Sequence, residues 1–332
     1  MTTTLFEAIQ AASQRRSPDV LRTPLQPSVG LSRLLGCNVL LKAEHLQTTG
    51  SFKYRGASNK IRLLSPVERE RGVVTASTGN HGHAVALAGR VAGVQVSVFA
   101  AKKTARSKLT AIRAHGADLH VIEGGELEAE LSARDEADRS GRCYISPYND
   151  MDVMAGQGTL GIELAEAGHR LDAVFVSVGG GGLIGGIGTA LSHLSPSTQI
   201  IGCWPENSPV LLRALETGFI HDVPESETIS DGTAGALEPG TVTLPVCAEV
   251  IDQYVTVSED LIMSAMWALA DHEHWMVEGA AGVALAGLAA LKAEMEGKTV
   301  AVILCGRNIG ADIFASAIAL RPQAPFTKTN KK

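Results

Sequence analysis

Residues 173–186 read "AVFVSVGGGGLIGG": an unbroken apolar run, four consecutive glycines, then a second apolar run. Strands buried on both faces of a sheet read as continuous apolar stretches. The stretch 173–179 therefore predicts an interior strand, and 182–193 the helix that follows it. Glycine admits positive φ and lets the backbone approach a ligand closely. Successive N–H groups at a helix N-terminus form an anion site. A plain strand-to-helix turn needs one or two glycines; four in a row, Gly179, Gly180, Gly181 and Gly182, predict a bound phosphate. Gly180, Gly182 and Gly185 also fit GxGxxG, with Glu206 21 residues beyond Gly185, so a dinucleotide stands as an alternative occupant. No GxxxxGK[ST] occurs, which removes the P-loop reading.

The same alternation extends outward along the chain. Strands are expected at 37–44, 72–77, 94–100 and 117–123, with helices at 81–93 and 105–116 ending on glycine. A second series places strands at 173–179, 199–204, 253–258 and 299–306, with helices at 182–193, 208–217, 258–272 and 279–296. Such alternation predicts an α/β chain of two open, mostly parallel twisted sheets covered by helices. Ligands of such sheets bind beyond the carboxyl ends of strands. The chain has 332 residues, 45% apolar and 19% charged, enough for a large core in two domains. A net charge of −6 offers no basic surface for nucleic acid. Five cysteines without CxxC or zinc spacing argue against a disulfide scaffold and for a cytoplasmic protein. The start lacks the pattern of a signal peptide, and no uncharged apolar run is long enough to span a membrane.

Three further stretches carry chemistry. In "TASTGNHGHAVALAG" (75–89), Ser77, Thr78, Gly79, Asn80 and His81 end a strand and open a helix. Hydroxyls, an amide and free helix N–H groups together suit a carboxylate, and simple capping needs only one of them. In "TTGSFKYRGASNK" (48–60), Lys53 lies between Phe52 and Tyr54 behind a turn; it is either a surface lysine on a helix's first turn or an amine held for chemistry. In "VILCGRNIG" (302–310), Cys305 ends a strand, and by itself reads as a small buried hydrophobe.

Together these stretches resemble the fold-type II, tryptophan-synthase-β-like, pyridoxal-phosphate enzymes. Ser51-Phe52-Lys53-Tyr54-Arg55-Gly56-Ala57 resembles their cofactor-lysine motif, and Ser77-Thr78-Gly79-Asn80-His81-Gly82 their asparagine loop. Gly179–Leu183 resembles their phosphate cup, and Cys305-Gly306 falls where they meet the pyridine nitrogen. "RTPL" (22–25), "MAGQGTLGIEL" (154–164) and "VEGAAGVALAGL" (277–288) match in order, so the resemblance spans nearly the whole chain. It is nearest to serine/threonine dehydratases and serine racemases, and among these to the hydroxyectoine-utilisation dehydratases.

The resemblance implies pyridoxal 5′-phosphate on Lys53, with Phe52 beside its ring. Gly179, Gly180, Gly181, Gly182 and Leu183 would hold its phosphate, Asn80 its 3′-oxygen, and Cys305 would face its ring nitrogen. Glu278 is placed near the ring or, equally, as a charge at a helix start. Ser77, Thr78, Gly79, Asn80 and His81 are implied to seat the substrate carboxylate. Lys53 and Thr78 are implied to be catalytic. Residues 1–47 and 153–332 would form a large cofactor domain and 48–152 a small mobile one. A small amino acid is the expected substrate, in a homodimer or homotetramer without nucleic-acid or membrane partners. The short stretch after Cys305 is expected to hold no allosteric domain.

Three departures shape the expected activity. Thr78 stands where racemases carry serine, and a β-branched residue is stiffer at χ1. Cys203 and Trp204 follow Gly202 where relatives carry a metal-binding glutamate, and Pro209 and Val210 occupy the region of the second acid, so no metal is expected. Cys305 is a neutral partner to the ring nitrogen, which suits elimination over a long-lived carbanion. The expectation is a dehydratase (ammonia-lyase) acting on a β-hydroxy-α-amino acid: serine, threonine or a hydroxyectoine-derived analogue. Its rivals are an amino-acid racemase, a nicotinamide dehydrogenase that leaves Lys53 unexplained, and a non-catalytic binding protein that has no need of Lys53.

Overall fold

The computed structural model describes residues 1–77, 79–104, 106–320 and 322–327, so Thr78 lies outside the described residues. Two sheets organise them. The larger contains β1 (Leu25–Pro27), β2 (Asn38–Lys42), β7 (Ala173–Ser177), β8 (Gln199–Pro205), β9 (Gln253–Val257) and β10 (Thr299–Ile303), in the order β1-β2-β10-β7-β8-β9. Only the β1–β2 pair is antiparallel. The smaller contains β3 (Val73–Ala76), β4 (Val96–Ala101), β5 (Asp118–Ile122) and β6 (Cys143–Tyr144), in the order β5-β4-β3-β6, all parallel.

The strand order explains where a site can form. β7 pairs with β8 on one side and with β10 on the other, and the chain runs outward from β7 through β8 to β9. The order therefore reverses between β7 and β10, which opens a crevice beyond their carboxyl ends. Register places Phe175 opposite Val302, so the residues just past both strands emerge side by side. β7 is buried along its whole length, as an interior parallel strand must be. In the smaller sheet β3 lies between β4 and β6, which brings the exits of β3 and β6 together.

Two expectations are corrected. The strand expected over 299–306 ends at Ile303. Beyond it the backbone leaves the sheet and binds the turn before Lys53: Phe52 N–H donates to Cys305 O at 3.0 Å and Arg307 N–H to Gly50 O at 2.9 Å. The helix expected over 279–296 ends at Ala290.

Several helices were not anticipated. Glu126–Ser140 buries only Ala129, Ala133 and Ala137, a stripe that carries almost no hydropathy signal. Met151–Ala165 is buried nearly all round and so shows no amphipathic period. Its glycines serve close packing: a Cβ on Gly156 would lie 2.6 Å from Arg55 O, and one on Gly161 2.7 Å from the Ala190 Cβ. This helix thereby seats both the Lys53–Leu63 helix and the Gly182–Leu194 helix.

Candidate active site

Distant chain segments converge on a cleft of about 390 Å³ lined by Lys53, Ser77, Asn80, Gly179, Glu278 and Cys305, among others. Lys53 is the first residue of the Lys53–Leu63 helix. Its Nζ donates to Pro147 O at 2.8 Å and lies 5.1 Å from the centre of the Phe52 ring. Burial disfavours the ammonium and lowers its pKa to about 8, against an opposing pull from Cys305 and Glu278. Lys53 thus stands in the wall of the cleft with its ammonium disfavoured, rather than on an open helix face.

The glycine run forms a cradle. Val178 N–H is taken by Cys203 O and Gly185 N–H by Gly181 O. The N–H groups between them are those a helix start leaves open. Side chains could not be accommodated here. A Cβ on Gly179 would lie 2.9 Å from the Thr233 Cα, and one on Gly180 2.3 Å from the Tyr148 ring. Gly181 has φ 88°, the left-handed region that glycine occupies without strain. Gly179, Gly181, Gly182 and Leu183 line the cleft, while Gly180 packs against Tyr148.

Cys305 follows β10 and meets Ser177 at the end of β7, whose Oγ donates to its Sγ at 3.5 Å. Burial pushes the thiol well above its usual range, with Glu278 adding to the effect, so Cys305 stays neutral. Ser177 escaped sequence reasoning because its role depends on the β7–β10 pairing.

The Asn80–Ala92 helix opens at the exit of β3. Asn80 Nδ2 donates to both carboxylate oxygens of Glu278, at 2.8 and 3.1 Å. Glu278 also accepts from Asn308 N–H at 3.0 Å and is 3% exposed, and burial raises its carboxyl to about 7. It is the N-cap residue of the Gly279–Ala290 helix, yet its side chain makes no capping bond. Glu278 thus stands both at that helix start and in the wall of the cleft.

Ser77 Oγ accepts from Gly79 N–H at 3.2 Å. His81 is 2% exposed, and its Nε2 contacts Ile145 O at 3.1 Å. A carbonyl only accepts, so Nε2 carries the proton and Nδ1 is left as a bare lone pair. Burial and nearby Lys53 hold the ring neutral, with a pKa of about 3. The His81 ring therefore turns no N–H toward the cleft, and what this residue offers a carboxylate is its backbone N–H at the helix start. Trp204, expected to displace a metal ligand, is fully buried on β8 and meets Tyr254 edge-on.

Glu238, also unanticipated, ties the segment that receives Lys53. It accepts from Ser146 Oγ at 3.0 Å and Asn149 Nδ2 at 2.7 Å, pairs with Arg134 at 2.5 Å, and donates its N–H to the Tyr148 hydroxyl at 2.8 Å.

A lysine amine and a glycine cradle that line one cleft suit a phosphorylated group held covalently. Residues 16–306 match the family model described as pyridoxal-phosphate dependent enzyme. The L-threonine ammonia-lyase of Thermotoga maritima is 38% identical over 309 residues, 93% of this chain and 76% of that one. The solved processed form of threonine deaminase isoform 2 from Solanum lycopersicum superposes with a TM-score of 0.89 at 33% identity, covering 96% of this chain and 92% of that one. Serine racemase from Dictyostelium discoideum gives 0.85 at 31%, covering 92% and 98%. The chain belongs to the fold-type II pyridoxal-phosphate-dependent enzymes, in the threonine dehydratase/serine racemase family. The cofactor fits the residues present: a depressed amine, a cradle in which a Cβ on Gly179, Gly180 or Gly181 would clash, and a neutral thiol.

Proposed function

We propose that this chain is a dehydratase converting a β-hydroxy-α-amino acid to a 2-oxo acid and ammonia. The observation that carries the reading is Lys53, an amine with a pKa near 8 between the glycine cradle and the Asn80 helix. Pyridoxal 5′-phosphate, when bound, supplies a sink for the electron pair left at the α-carbon. Lys53 would hold it, and Gly179, Gly180, Gly181, Gly182 and Leu183 would take its phosphate through their N–H groups. Phe52 would pack beside it, and Asn80 and Cys305 would serve as neutral hydrogen-bond partners. The backbone at Ser77, Thr78, Gly79, Asn80 and His81 seats the substrate carboxylate. Lys53, freed as a neutral amine, removes the α-proton as general base. The proton that Lys53 has taken is passed to the β-hydroxyl, which departs as water and leaves Lys53 neutral again; the released enamine then takes up water to give oxo acid and ammonia. A neutral thiol at Cys305 stabilises negative charge weakly, which favours prompt loss of the hydroxyl over reprotonation.

Serine, threonine and a hydroxyectoine-derived analogue are the proposed substrates, and the polar wall around Glu130, Lys108 and Asp231 suits their hydroxylated side chains. We further place the enzyme in the cytoplasm, as a homodimer or homotetramer, with 48–152 as the smaller mobile unit against 1–47 and 153–332. No helix of the described residues is long and apolar enough to cross a membrane. The test is a panel of β-hydroxy amino acids assayed together for oxo-acid release and, by chiral chromatography, for inversion. Oxo acid is expected to dominate; D-enantiomer formed faster than oxo acid would establish the racemase instead.

A further inference from the structure

Asn80, Glu278 and Asn308 form a closed triangle. Asn80 Nδ2 reaches Glu278, Asn308 N–H reaches Glu278 Oε2 at 3.0 Å, and Asn308 Nδ2 donates to Asn80 Oδ1 at 2.6 Å. A fourth contact decides how the triangle is wired. Asn308 Nδ2 also donates to the backbone carbonyl of Thr49 at 2.9 Å. A carbonyl can only accept, so the amide nitrogen of Asn308 must face it. The same nitrogen then meets Asn80, whose facing atom must be its oxygen. The remaining end of Asn80 is its nitrogen, and that end meets Glu278. The amide of Asn80 has thus lost the two-fold ambiguity that an isolated amide keeps. A forked contact with one carboxylate can be made with one of its hydrogens, and Asn80 can then offer the second to the cleft. Thr49 lies four residues before Lys53, and a Cβ on the intervening Gly50, at φ 74°, would lie 2.7 Å from Asn308 Oδ1. The wiring therefore reaches from the Lys53 turn to the start of the Asn80 helix.

We propose that Asn308 is a positioning residue that fixes the Asn80 amide with N–H rather than C=O toward the cofactor's 3′-oxygen. This rests on the roles assigned above to Lys53 and Asn80. Asn308→Asp has the same shape but cannot donate to Asn80 or Thr49, so it removes the cause of that orientation. Asn308→Ser, which shortens the side chain, provides a second variant should the first fail to fold. The readouts are the cofactor dissociation constant by equilibrium dialysis, the position and pH dependence of the visible cofactor band, and the melting temperature of the apoprotein. N308D is expected to weaken cofactor binding about tenfold or more. It should move the band in the same direction as Asn80→Ala, while the N80A/N308D double variant binds no worse than N80A alone. A residue with a purely structural role would lower the melting temperature without moving the band, and its effect would add to that of N80A. A moved band in N80A beside an unmoved one in both Asn308 variants overturns this proposal alone. An unmoved band in N80A overturns the role assigned to Asn80, and this proposal with it.

Discussion

Lys53 and Glu278 are both buried ionisable groups, and burial moves them in opposite directions because it disfavours whichever form is charged. For Lys53 the amine is freed at lower pH. The apoprotein is expected to capture pyridoxal phosphate at a rate that rises with pH and levels above about 8, where the neutral amine predominates. Stopped-flow absorbance measures this. Lys53→Ala should abolish covalent capture and turnover while the apoprotein still melts cooperatively. Borohydride reduction and peptide mapping locate the attachment, and label on any other lysine would sink the assignment. For Glu278 the folded carboxyl holds its proton up to about 7 against 4.5 when unfolded. At Glu278 the native state therefore binds the extra proton through that window, so the stability this group contributes is lost as pH rises from about 4.5 to about 7. Glu278→Gln removes the ionisation. His45, His81 and His83, held neutral by burial, make stability rise with pH in both proteins up to about the unfolded histidine value of 6.5, so the readout is the difference between them. The melting temperature of the variant relative to the wild type should climb as pH rises from 5 to 8, and it should exceed the wild type at pH 8.

At the scale of elements, the cradle works because a strand exit, a helix start and two loops approach more closely than side chains allow. Gly180→Ala would drive a methyl group into the Tyr148 ring, whose hydroxyl is held by Glu238 N–H and so cannot readily retreat. We expect cofactor affinity to fall about tenfold or more, with a smaller loss in melting temperature. Binding titrations run beside thermal melts measure both, and unchanged affinity would show that the Tyr148 segment yields freely. The legibility of the elements divides by burial pattern. β7 was readable because an interior strand is apolar throughout. The Glu126–Ser140 helix was not, because alanines alone mark its buried face.

Across the whole molecule, the Lys53 helix is anchored by a buried ion network. Arg55 pairs with Glu44 at 2.7 Å and with Glu163 at 2.7 Å, and Lys42 pairs with Glu163 at 2.6 Å. Glu44 lies just past β2, and Glu163 in the Met151–Ala165 helix, so three parts of the fold meet in one set of charges. Such a set contributes little net stability when intact but is costly to break, because a partner is left charged and buried. Glu163→Ala leaves Arg55 and Lys42 short of a carboxylate and is expected to destabilise the protein by about 3–5 kcal/mol. Denaturant unfolding followed by far-UV circular dichroism checks this; a loss below about 1 kcal/mol would mean that water enters to solvate the cations.

The amino-acid order alone determined the α/β class and marked the glycine cluster and the lysine that line the cleft. Each is a local feature: an apolar run, a glycine cluster and a lysine at a helix start are written in consecutive residues. Tertiary structure alone decided the rest. Asn308, Glu238 and Ser177 reach the site through partners 89 to 259 residues away, and no local pattern marks them. The tautomer of His81 depends on a carbonyl that follows β6, and the pKa values of Lys53 and Glu278 on how deeply the two sheets enclose them. Spacing along the chain predicts which groups a segment carries. Burial and hydrogen-bond partners are set only when distant segments pack, and they fix which of those groups are neutral and which way each one points.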